Sequence, residues 1–146
     1  MPFSRAIIVN PPSPPGYMSN KDSMGGFGQL YPAGSPPFPP LDIPYLAASI
    51  TARGHAVDVV EAGALRLDTA TTLARVAAVA GGTEALVLVR TSLPTIDWDL
   101  GVCAEIRAAL PAATVTLFGP AVPSLLARVR QDASIQLAIL TEADGP

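Results

Sequence analysis

Five short apolar runs punctuate the chain: Ala6–Val9, Val57–Glu61, Ala85–Val89, Thr114–Phe118 and Leu137–Leu140. Each is rich in Val, Ile, Leu or Phe and does not alternate strictly with polar residues. A strand of this kind has both faces covered, as the strands of a parallel sheet do. Helical patterns fill the gaps between the runs. Asp42 is positioned to cap the first, with apolar residues at Ile43, Leu46, Ala47 and Ile50 and a stop at Arg53-Gly54. Asp68 or Thr69 opens an Ala-rich second helix that ends before Gly81-Gly82. Thr95 or Asp97 opens a third that runs to Leu110, with Pro111 beyond, and Pro123 or Ser124 opens a fourth to about Asp132. The alternation predicts one α/β domain over residues 1–146. It is a flavodoxin-like Rossmann fold with a five-stranded parallel sheet and helices on both faces.

In such sheets ligands bind outside the carboxyl ends of the strands, where strand order reverses. The loops there read Asn10-Pro11-Pro12 onward, Arg90-Thr91-Ser92-Leu93-Pro94, Gly119-Pro120-Ala121 and Thr141-Glu142. Thr91 and Ser92 offer hydroxyls for a ligand or, alternatively, for a helix cap and turn. Gly119 admits close backbone approach or serves an ordinary strand-to-helix turn. If these residues meet a ligand, bulky replacements at Ser92 and Gly119 should weaken binding and leave the fold intact.

Several chemistries lack their residues. No G-x-G-x-x-G follows the first strand and no G-x-x-x-x-G-K-[ST] exists, while Gly25-Gly26-Phe27-Gly28 opens no helix. The only histidine, His55, lies at the amino end of the sheet, the wrong end for a site. The only cysteine, Cys103, reads as a core residue on a helix. A metal ligand set, a histidine-based triad and an iron–sulfur cluster are thereby unsupported. The formal charge of -3 and pI near 4.9 give no basic face for nucleic acid. No apolar stretch reaches the roughly 20 residues of a membrane span, and the first residues lack the layout of a signal peptide, so a cytoplasmic protein is expected.

The pieces "IIVNPP", "PPLDIPYLAASITARGHAVDVVEA" from Pro39 to Ala62, and "TSLPTIDWDLGVCAEIRAALPAATVTLFGP" from Thr91 to Pro120 together carry a resemblance. The chain resembles the N-terminal cobalamin-binding domain of B12-dependent radical SAM enzymes. That resemblance implies cobalamin over the carboxyl ends of the strands. Asn10, Pro11, Pro12, Thr91, Ser92, Leu93, Pro94, Gly119, Pro120, Ala121, Thr141 and Glu142 would line its site. It implies no lower histidine ligand, because the loop after the first strand holds none. It implies a methyltransferase whose S-adenosylmethionine and [4Fe–4S] cluster reside in a missing domain or partner chain, this chain being a truncated piece or a free-standing carrier. A flavin- or nucleotide-binding protein and an interaction domain without ligand remain alternatives.

The segment from Pro11 to Pro40 is rich in Pro, Gly and Ser, and loops of that length are usually functional or disordered. It reads either as an apolar flap beside the ligand, carrying Met24, Phe27, Leu30 and Tyr31, or as a segment ordered only when another domain packs on it.

Overall fold

The computed structural model describes residues 3–141. The five expected strands form one parallel sheet: β1 (Arg5–Asn10), β4 (Val57–Glu61), β5 (Ala85–Arg90), β6 (Thr114–Phe118) and β7 (Leu137–Ala138). Their order is β4-β1-β5-β6-β7, which is the flavodoxin-like order. The last strand is two residues long rather than four, since pairing with β6 involves only Leu137 and Ala138.

Helices cover both faces. Ile7, Val9, Val87, Val89, Val115 and Leu117 face the larger core, with Val76 of α2 (Thr69–Ala80) and Leu100, Cys103 and Ile106 of α3 (Ile96–Ala109). Ala6, Ile8, Leu88 and Phe118 point the other way, toward Ile43 and Leu46 of α1 (Asp42–Ala52). Asp68 caps α2 as expected, accepting from the Thr71 amide at 2.7 Å. Two expected helix starts differ. Asp42 is the first residue of α1 and not its cap; its carboxylate is taken by Arg90 instead. The fourth helix is shorter than expected: a 3₁₀ turn over Val122–Leu125 leads into α4 (Leu126–Val129), a single turn.

The segment between β1 and α1 is ordered. It holds a two-stranded antiparallel ribbon, β2 (Tyr17–Asn20) and β3 (Gln29–Pro32), joined by a tight turn through Ser23–Gly26 in which Met24 and Gly25 are left-handed. Tyr31 packs on Phe38 with ring centroids 5.5 Å apart. We refer to Tyr17–Pro32 as the cap. No helix among the described residues is long and apolar enough to cross a membrane.

Candidate functional site

Strand order reverses between β1 and β5, because the chain builds outward to β4 on one side and to β6 and β7 on the other. The crevice outside their carboxyl ends is the expected ligand position. The cap's own Lys21 fills it. The Lys21 ammonium donates to the Arg90 carbonyl at 2.7 Å and to Asp99 Oδ2 at 2.8 Å. Both side chains are sealed from solvent, at 1% and 0% exposure. Asp99 lies on the core face of α3, one turn before Cys103, and its Oδ2 also accepts from Thr91 Oγ1 at 2.8 Å and Thr95 Oγ1 at 2.6 Å. Its Oδ1 is buried with no hydrogen-bond partner among the described residues. Burial drives the Lys21 pKa below the usual lysine value, while the Asp99 carboxylate opposes the fall.

Arg90 forms a second layer. Its guanidinium donates to Asp42 Oδ2 at 2.7 Å, to the Lys21 carbonyl at 3.1 Å and to the Thr91 carbonyl, and it lies 3.4 Å from Asp22. Asp22 in turn accepts from the Leu41 amide at 2.7 Å. Two cations and three carboxylates therefore pin the cap to β5, α3 and the start of α1. Burial raises the Asp42 pKa, with Arg90 opposing.

The residues expected from sequence fall into two groups. Thr91, Ser92 and Ala121 are buried, as are Asn10, Pro11, Pro12 and Gly119. They hold the chain together rather than face outward. The Trp98 indole N–H donates to the Pro12 carbonyl at 2.8 Å, and Ser92 Oγ shares a hydrogen bond with Thr95 Oγ1 at 2.7 Å. A side chain at Gly28 would put its Cβ 2.6 Å from that of Ser92. One at Gly119 would lie 2.5 Å from Arg90 Nη1 and 2.8 Å from the Thr91 carbonyl. The close approach at Gly119 thus serves a guanidinium of the same chain. It follows that bulky residues at Ser92 and Gly119 would disturb the fold itself, a correction to the expectation that they would spare it. Ser92 bonds Thr95 within the turn and Thr91 bonds Asp99, whereas the Ser92 side chain makes no helix-cap hydrogen bond.

Leu93, Pro94 and Pro120 are exposed, and the cap adds Met24 and Phe27 beside them. The Leu93 amide donates to the Phe27 carbonyl at 2.7 Å, and Gly26 packs on Pro120. These residues make an apolar ledge above the crevice, with Met24 69% and Leu93 50% exposed. Met24 holds φ at 56°, a left-handed conformation that costs a non-glycine residue about 1 kcal/mol or more. Thr141 is exposed beyond β7, and Glu142 lies outside the described residues.

The surface includes small cavities of about 190, 220 and 220 Å³. The first lies against Ser13, Tyr17, Gly63 and Arg66, near the ends of β1 and β4. Sites for drug-sized ligands run to about 300 Å³ and more. None of these three cavities encloses a macrocycle, whereas the ledge offers it an open surface.

At the end of β4, Glu61 Oε1 accepts from Asn10 Nδ2 at 2.5 Å and from the Ala64 amide at 3.0 Å. Burial nevertheless raises its pKa above the ordinary 4.5. The folded state then holds this proton more tightly than the unfolded chain. The associated stability is present below pH 4.5 and is lost as pH rises through the raised folded value. Glu61→Gln keeps the Oε1 acceptor and removes the titration. The change in urea midpoint between pH 4.5 and 7 should be smaller in this variant than in the parent protein.

Sequence reasoning missed Lys21, Arg90 and Asp99 as a unit. One signal was available: Asp99 occupies a position on α3 where Ile96, Leu100, Cys103 and Ile106 are all buried, so an acid there requires a cation. No protein-family model and no curated protein matches the sequence.

Proposed function

We propose that the chain is a cobalamin-binding domain of the kind found in B12-dependent radical SAM enzymes, most simply a methyltransferase. The observation that carries the reading is the exposed apolar ledge of Met24, Phe27, Leu93, Pro94 and Pro120 above the strand-order reversal. Contiguous exposed apolar surface of this kind marks binding sites. The fit is uneven. The ledge suits the apolar face of a corrin, whereas Thr91, Ser92 and Gly119 do not reach a ligand while the cap is closed. The corrin contacts are accordingly assigned to the ledge, and Asn10, Pro11, Pro12 and Ala121 to its support. His55, at the far end of the sheet, offers no lower ligand. Bound cobalamin supplies the methyl-transfer chemistry, and the chain's residues supply a platform and shelter from water. An iron–sulfur cluster needs several thiolates, so S-adenosylmethionine and its cluster are assigned to another domain or chain.

The test is retention of corrin. Protein mixed with hydroxocobalamin and desalted should keep visible corrin absorbance. Leu93→Glu and Met24→Glu should lose roughly tenfold in affinity, the effect of about 1.4 kcal/mol of lost apolar contact. Absence of corrin from the parent protein overturns the reading. Retained flavin in its place would favour the flavin-binding alternative, and retention of neither would favour an interaction domain.

A further inference from the structure

The cap is fastened to the domain mainly by polar bonds. Neither hydrophobic core contains a residue of Tyr17–Pro32. Within the cap only Met18 is a fully buried large apolar side chain, whereas Tyr17, Met24 and Phe27 are exposed. Segments with few buried apolar contacts open at lower free energy than the whole domain. The ends of the cap favour such opening. Gly16 precedes it with φ 81°, Gly34 follows it, and at both a Cβ would meet nothing within 4 Å. Directly after Pro32 the chain is held separately, because the Arg66 guanidinium donates to the Ala33 and Ser35 carbonyls at 2.5 and 2.7 Å. A glycine hinge at Gly16 and an anchored exit at Ala33 therefore flank a unit with its own ribbon hydrogen bonds.

We propose that Tyr17–Pro32 is a hinged lid latched by Lys21, and that it closes over a binding site for an ammonium group. The floor under the lid is the Arg90 carbonyl and Asp99, with Thr91 and Thr95 hydroxyls bonded to the carboxylate and Ser92 beside them. Lys21 supplies the cation in the closed state. With the lid open, Asp99 faces solvent carrying one oxygen already without a partner among the described residues. A ligand taking the place of Lys21 must bring a positive charge and N–H donors, which a primary amine does. The same opening uncovers Thr91 and Ser92, so two of the residues that sequence patterns place in the site become reachable. The lid stands whether or not the ligand on the ledge is a corrin.

Thiol labelling tests this without a ligand. Ser92→Cys places a thiol under the lid at little change in size, and the native Cys103, buried in the core on α3, serves as a reference for global unfolding. With maleimide in native buffer, read by peptide mass spectrometry, the introduced thiol should react at least roughly tenfold faster than Cys103. Adding Lys21→Met, which removes the latch, should raise its rate further, and the introduced thiol should remain the faster of the two. Equal rates for the two thiols would mean that the lid opens only when the whole domain unfolds, and would overturn the proposal. A second measurement needs no change to the latch. Ethylammonium chloride should speed labelling of the Ser92→Cys protein more than sodium chloride at equal ionic strength. Identical acceleration by both salts would overturn the ammonium site.

Discussion

Asp99→Ala is expected to remove about 3 kcal/mol of folding stability, measured by urea unfolding followed by circular dichroism. The substitution leaves the Lys21 ammonium sealed at 1% exposure without its counterion, and it strips Thr91 and Thr95 of their shared acceptor. Breaking a buried pair from one side typically costs about 3–5 kcal/mol. The low end is expected here because the lid offers the orphaned ammonium a way into water, so the loss is limited by the free energy of lid closure. Replacing both members with apolar residues, Lys21→Met with Asp99→Leu, should recover most of the loss, since no buried charge then remains. A loss below about 1 kcal/mol for Asp99→Ala would show that the pair contributes no more than a surface salt bridge.

Gly119→Ala should also be costly, by roughly 2–4 kcal/mol. At φ 134° the residue lies where side chains are strained, and the added Cβ meets the Arg90 guanidinium and the Thr91 carbonyl. Arg90 would have to withdraw, loosening its bonds to Asp42 and to the Lys21 carbonyl. Gly101 provides the contrast. It is an exposed residue within α3 whose Cβ would meet nothing within 4 Å. Gly101→Ala should raise stability by about 0.5–1 kcal/mol, the ordinary helix gain over glycine. Thermal unfolding of the two variants side by side separates a general glycine effect from the specific packing at residue 119.

The sheet was legible because its physics is local. A run such as Ile7-Ile8-Val9 is apolar on both faces and suits only a covered strand. The α2 start was legible because Asp68 bonds an amide three residues on. The cap was not legible, since Tyr-Met-Ser-Asn and Gln-Leu-Tyr-Pro are short and carry no apolar alternation. What orders the cap is the bond between Lys21 and Asp99, 78 residues apart, together with Arg90 reaching back to Asp42 across 48. Such pairs leave no periodic trace. For the same reason the site was legible only in position: its loops were identified, but not which of their residues the chain would use on itself.

The indole of Trp98 lies next to Asp99 in sequence and donates to the Pro12 carbonyl, at the root of the segment that leads to the lid. It is the only tryptophan in the chain. The protein therefore carries an unengineered optical reporter at the hinge side of its candidate site. Lid opening that lets water nearer the indole should redden its emission. A coloured ligand settling on the ledge should quench the same signal by energy transfer. One fluorescence titration can thus follow motion and occupancy together, each with its own spectral change.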